Sequence, residues 1–253
     1  MSVTSCAAAC KELATRDAEV LGSTRAGWLK PTQVPSANLL ALAVTALKQA
    51  IEARDAYTMG HSRRVRVLAV AMAREMGLRE SVVRDLALAA ELHDVGKIGI
   101  PDELLHKPGA LTREEHQRIL EHTVIGERIL RPLMAGREEI LQAVRAHHER
   151  VDGTGYPDGL KGDQIPLTAR ILAVADAFDA MTSARPYRDP LKPAVAKAEL
   201  SRCTGSHFDA ECVRALLRVD SLTGRGYRPS SHRTAGGERK ARVGAFSFPT
   251  SVM

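Results

Sequence analysis

The sequence predicts an all-α helical bundle interrupted by one long Gly/Pro/Asp loop between Val151 and Pro166. Three observations predict it. Apolar residues recur at helical spacing through most of the chain. Alternating β-branched runs, which would mark strands, are nearly absent. Residues suited to starting and stopping helices flank the apolar runs.

Leu39, Leu40, Ala43, Leu47, Ala50 and Ile51 share one face of a first helix beginning near Ser36. Ser62 is placed to cap a second, with Val65, Leu68, Ala69 and Met72 inward and Gly77 ending it. Ser81 opens a third, running through Val82, Leu86, Ala89 and Ala90 to His93. Thr112 and Glu115 form a capping box ahead of Ile119 and His122. Arg137 to His148 reads as a helix with Ile140, Leu141 and Val144 inward. Pro166 stands where a first-turn proline is tolerated, before Ile171, Leu172, Val174, Ala175 and Phe178. Pro193–Arg202 and Asp209–Val219 complete the set.

Composition bounds the rest. The 253 residues, 44% of them hydrophobic, suit one large domain with tails. Residues 1–37 read as a leader, with a short helix at 7–21 before Gly22, Gly27, Pro31 and Pro35 break the pattern. Residues 38–219 form the body, and 220–253 read as a basic, Gly/Ser/Arg-rich disordered tail. No stretch of about 18 consecutive apolar residues predicts a membrane span, and no secretory signal is evident. Cys6, Cys10, Cys203 and Cys212 lack CxxC spacing and suit reduced thiols, which predicts a cytoplasmic location. The formal charge of +6 sits mostly beyond Ser221, where six basic residues face one acid. The body is near neutral, so charge gives no reason to expect nucleic acid as a partner.

His61, His93, Asp94, His122, His147, His148 and Asp176 interrupt apolar helix faces, at or near the ends of separate helices. One histidine on a helix is ordinary; five, with two adjacent pairs, are not. Imidazoles and carboxylates without nearby cysteine suit borderline divalent ions such as iron, manganese or zinc. Seven ligands exceed what one catalytic ion needs and suit two, an arrangement recurrent in phosphoester hydrolysis.

Six ordered stretches give the chain its resemblance to the HD-GYP family, a branch of the HD phosphohydrolases. They are Glu52 to Arg64, Leu92-His-Asp-Val-Gly-Lys-Ile-Gly-Ile-Pro101, Lys107 to Thr112, His122 to Gly126, His147 to Gly162 and Ala173 to Arg188. The resemblance implies an HD-type helical bundle whose long loop carries the Gly155-Tyr156-Pro157 motif. It implies hydrolysis of cyclic di-GMP to pGpG, in some members on to GMP, by a hydroxide activated between two metal ions. Iron or manganese would be the metal. One ion would take His61, His93, Asp94 and Asp176, the other His122, His147 and His148, with Asp94 bridging. Members with a third ion carry a glutamate where this chain has Tyr57, which argues for two.

Lys97 would hold a non-bridging phosphate oxygen, its alternative being an ion pair with Glu91, Asp94 or Asp102. Asp94 and Lys97 are thus the expected catalytic residues. Gly155, Tyr156, Pro157, Arg185 and Arg188 join Lys97 as expected substrate contacts; the arginines offer forked donors and stacking planes. The loop is also the expected contact for a diguanylate cyclase partner, and residues 7–21 and 39–51 could pair helices in a homodimer. Two rivals stand beside this reading: an HD phosphohydrolase for a dNTP, an alarmone or a mixed cyclic dinucleotide, and an adaptor that binds cyclic di-GMP without turnover.

Overall fold

The computed structural model describes residues 36–55, 60–184 and 189–222, with the side chains of 36–38 and 220–222 excepted. The leader and its helix at 7–21, Tyr57, Arg185, Arg188 and the tail beyond 222 lie outside the described residues. Residues 1–41 and 42–253 form separate compact units. The described part of the first is the opening of helix α1 (Ser36–Arg54); everything below concerns the second.

The all-α expectation holds: no strand occurs among the described residues, only isolated bridges between Asp152 and Lys161 and between Thr204 and Phe208. After α1 come α2 (His61–Glu75), α3 (Glu80–Leu92) and a 3-10 turn (Val95–Gly99). Short α4 (Asp102–Leu105), α5 (Arg113–Leu120), α6 (His122–Leu130) and α7 (Glu138–Ala146) follow. The long loop then leads, through a 3-10 turn at Gly162–Gln164, into α8 (Leu167–Thr182), α9 (Pro193–Arg202) and α10 (Ala210–Leu222).

Helix α8 is the axis. It is apolar nearly all round, and a helix of that kind must be buried on every side. Every residue from Ile171 to Thr182 is buried. Ile171, Leu172, Val174, Phe178 and Met181 meet Val65, Leu68 and Met72 of α2, Leu86 of α3, Leu200 of α9 and Leu216 of α10 in the main core. Each large side chain so buried contributes roughly 1.5–3 kcal/mol against exposure. This packing fixes α8 where its two acids, Asp176 and Asp179, face the starts and ends of neighbouring helices.

Several helix ends differ from the sequence expectation by a residue or more, and the reasons matter for the site. Ser62 is not a cap. Gly60 adopts φ +75°, a left-handed conformation glycine takes freely, so the chain enters α2 two residues earlier and His61 becomes its first residue. Ser62 is buried inside the first turn. Ser81 likewise lies within α3, which opens at Glu80 and gains an acid in its first turn. Pro166 directly precedes α8 rather than occupying its first turn. Helix α7 stops at Ala146, leaving His147 as its final half-turn and His148 beyond it. Helix α10 continues past Val219 to Leu222. The Gly77 stop and the Thr112–Glu115 capping box form as expected.

Candidate metal centre

Four helix ends and the middle of a fifth helix converge. His61 opens α2, His93 and Asp94 close α3, His122 opens α6, His147 and His148 close α7, and Asp176 projects from the middle of α8. All seven expected ligands come together, and all but His61 are buried. Two groups form, each with ligand atoms within 4.8 Å of one another: His61, His93 and Asp94, and His122, His147 and His148. Asp176 joins the first through Oδ1, 3.1 Å from His61 Nε2 and 4.0 Å from His93 Nε2.

Asp94 stands between the groups. Its Oδ2 lies 3.5 Å from His93 Nε2, and its Oδ1 lies 3.7 Å from His122 Nε2. The rings themselves adjoin across the divide, His93 to His147 at 5.1 Å between centroids.

The helix ends also orient the imidazoles. Nδ1 of His93, His122 and His147 meets the carbonyl oxygen three residues earlier, Ala90 at 3.0 Å, Ile119 at 2.7 Å and Val144 at 2.6 Å. A carbonyl only accepts, so Nδ1 carries the proton and the Nε2 lone pair faces inward. Nε2 of His122 and His147 and Nδ1 of His148 are buried with no hydrogen-bond partner. Three orphaned imidazole nitrogens in one place are costly unless something electrophilic takes their lone pairs. That donor set fits a metal ion.

Electrostatics divides the groups. Burial lowers His122 to about 4 despite the opposing charge of Asp94, and lowers His147 to about 3. Burial and the neighbouring imidazoles hold His148 well below the ordinary range. These rings are neutral, as ligands must be. Burial would lower His61 too, but hydrogen bonds and charge from Asp176 and Asp179 overcome it and raise His61 to about 9. Burial would raise Asp94, yet Lys97 and the surrounding histidines hold it well below the carboxylate range.

Lys97 Nζ donates to Asp94 Oδ2 at 2.7 Å, one of the three ion pairs weighed from the sequence. The other two acids are taken elsewhere: Glu91 lies 3.3 Å from Arg66 and Asp102 lies 2.9 Å from Arg54.

The Gly155-Tyr156-Pro157 motif lies against the second group. Tyr156 stacks on His148, its backbone N–H donates to the His148 carbonyl at 3.3 Å, and its hydroxyl is buried without a partner. The Tyr156–Pro157 peptide is cis. A side chain at Gly155 would place Cβ 2.3 Å from the Arg150 nitrogen, so only glycine lets the loop pass.

Asp179, its partner Arg64, and Glu149 are supporting residues that escaped the sequence reading. Asp179 Oδ2 accepts from His61 Nδ1 at 2.8 Å, while its Oδ1 takes Arg64 Nε at 2.6 Å. Its spacing from Asp176, three residues along one helix, was the available signal. Glu149, buried beside the histidine pair, accepts the amides of Asp158 at 2.7 Å and Leu160 at 3.0 Å and ties down the loop. No pattern in the sequence marks it.

The profile of the HD domain family matches residues 45–212, which contain all six stretches quoted above. The chain belongs to that family. A cyclic di-GMP phosphodiesterase of Thermotoga maritima is 46% identical over 173 residues, 67% of this chain and 46% of the relative. The 3'3'-cGAMP-specific phosphodiesterase 2 of Vibrio cholerae is 42% identical over 68% of this chain and 33% of its own. The chain therefore spans less than half of either relative. The HD domain of the L. monocytogenes phosphodiesterase PgpH, solved with cyclic-di-AMP, shares the fold at a TM-score of 0.52 and 18% identity, covering 74% of this chain and 100% of that one.

Proposed function

We propose that the protein is a metal-dependent phosphodiesterase that hydrolyses cyclic di-GMP to linear pGpG. The observation that carries the reading is the pair of ligand groups meeting at Asp94, one of them made of three neutral, buried and unpartnered imidazole nitrogens. His61, His93, Asp94 and Asp176 would hold one divalent ion, and His122, His147 and His148 the other, with Asp94 shared. Two ions, iron or manganese, would supply an activated water and neutralise charge on the phosphoryl oxygens.

The chain's own residues do the rest. Asp94 presents one oxygen to each group and stays ionised at any ordinary pH. The Lys97 ammonium has three donors and commits one to Asp94, leaving others for a non-bridging phosphate oxygen. Tyr156 lends a ring face and a hydroxyl at the edge of the same space. Asp179 and the three backbone carbonyls hold the imidazoles in one orientation, so no reorganisation is needed when substrate arrives.

A second reading rests on the similarity to the cGAMP-specific relative: a mixed cyclic dinucleotide as the preferred substrate. Anaerobically metal-loaded protein given cyclic di-GMP, 3'3'-cGAMP and a mononucleotide control tests both. The proposal expects the largest kcat/KM for cyclic di-GMP. A larger value for 3'3'-cGAMP would select the second reading, and either ligand bound and released intact would indicate an adaptor.

A further inference from the structure

Arg54, the last residue of α1, has no part in the proposed mechanism so far. Its guanidinium reaches across to the turn that carries Lys97. It donates to the carbonyl oxygens of Lys97 at 3.2 Å, of Ile98 and of Ile100, and its Nε meets Asp102 Oδ1 at 2.9 Å. Carbonyls at the end of a short helical turn are short of intrahelical partners, although the Lys97 oxygen also accepts the Ile100 amide at 3.1 Å. Here a single planar fork gathers three of them, which an ammonium with its compact charge cannot do.

The opposite side of the turn is equally fixed. A Cβ on Gly96 would lie 1.8 Å from the His122 carbonyl oxygen and 2.5 Å from the Gly126 nitrogen. The turn is thus wedged between α6 on one side and Arg54 on the other. Lys97 projects from its middle to Asp94, 2.7 Å away. Asp55, the residue after Arg54, is buried and adds its negative charge to the surroundings of the same ammonium.

We propose that Arg54 is a positioning residue for catalysis: by gathering the carbonyls of Lys97, Ile98 and Ile100 it sets where the Lys97 ammonium stands relative to Asp94 and the substrate phosphate. The inference rests on the reading of Lys97 as a phosphate-binding cation. Arg54 contributes no ligand to either histidine group and acts through Lys97 alone. Displacement of a charged group by about 1 Å is enough to cost on the order of 100-fold in rate.

The test compares Arg54→Ala, Arg54→Lys, Lys97→Ala and the Arg54→Ala/Lys97→Ala double variant in the full chain. Three quantities are read: bound metal, amide hydrogen exchange at residues 97–100, and turnover of cyclic di-GMP. Both Arg54 variants are expected to keep their metal, to exchange faster at residues 97–100, and to lose roughly 10- to 100-fold in kcat. Free guanidinium ion should restore part of the activity of Arg54→Ala and none of Lys97→Ala. The double variant should be no slower than Lys97→Ala. Should Arg54→Ala fail to fold, Arg54→Lys carries the same comparison. Unchanged exchange at residues 97–100, or losses that multiply in the double variant, would overturn the proposal. Lys97→Ala turning over at the parental rate would instead overturn the reading of Lys97, whereas fast exchange with full turnover in Arg54→Ala would remove the positioning role alone.

Discussion

The ring of Tyr156 lies stacked on that of His148, with centroids 4.9 Å apart and planes at 30°. The loop that names the branch is thereby a wall of the ligand cluster, and its aromatic residue braces one of the imidazoles. Tyr156→Phe keeps the stack and removes only the buried hydroxyl, so metal content should persist. Tyr156→Ala removes the brace and should cost about 2 kcal/mol of stability, below the full-core range because the residue is half-buried. Denaturant midpoints and elemental analysis of both variants check this; equal loss of metal in both would contradict it.

Gly96 leaves no room for a methyl group against His122 and Gly126. Gly96→Ala must push the His93–Asp94 end of α3 away from α6, separating the two ligand groups. The expected cost is about 3 kcal/mol or more, with loss of bound metal. Gly77→Ala is the control: its φ of +71° is strained for alanine, but nothing lies within 4 Å. It should cost about 1 kcal/mol and leave metal content intact.

Glu149 uses both carboxylate oxygens on backbone amides of the loop. In Glu149→Gln one of those positions becomes an NH2 facing an N–H. The expected loss is about 1–3 kcal/mol. Faster amide exchange at Asp158 and Leu160, ahead of any change in the helices, would be its signature. Uniform destabilisation would argue that Glu149 has no particular hold on the loop.

The two ligand groups should differ in their response to pH. His122 is lowered to about 4 and His147 to about 3, so neither releases a proton on binding metal near neutrality. In the metal-free protein their sign is destabilising in acid: as pH falls from 6.5 toward 4 the unfolded chain takes up protons that the folded chain refuses. His61, raised to about 9, has the opposite sign: its contribution is complete below pH 6.5 and fades as pH rises through about 9. The metal-free protein should therefore be most stable near neutrality. Metal uptake near pH 7.5 should release about one proton, from His61, measurable by titration calorimetry in buffers of different ionisation enthalpy. A water activated between the ions can add one more proton, so release of three or more would show that the second group is not neutral.

Much of this was legible in the sequence, for physical reasons. Helix α8 announced itself because an apolar run with only Asp176 and Asp179 in its buried length can be nothing else. The clustered histidines were legible because histidines at helix ends have little packing reason to be there. What could not be read were relations set by backbone geometry. The displacement of the α2 start to His61 depends on the left-handed turn at Gly60, not on the capping preference of Ser62. Arg54 and Glu149 act on main-chain atoms of distant segments, and main-chain partners leave no residue-type signal. Lys97 was weighed between a phosphate and three acids; only the fold selects Asp94 as its protein partner.

The most direct test of the central claim is metal content and product identity measured on one anaerobically purified sample, with Asp94→Ala alongside. The account predicts about two iron or manganese ions per chain and conversion of cyclic di-GMP to pGpG, both lost in Asp94→Ala. Cyclic di-GMP recovered intact from the metal-replete protein, or an Asp94→Ala variant that keeps both its metal and its turnover, would contradict it.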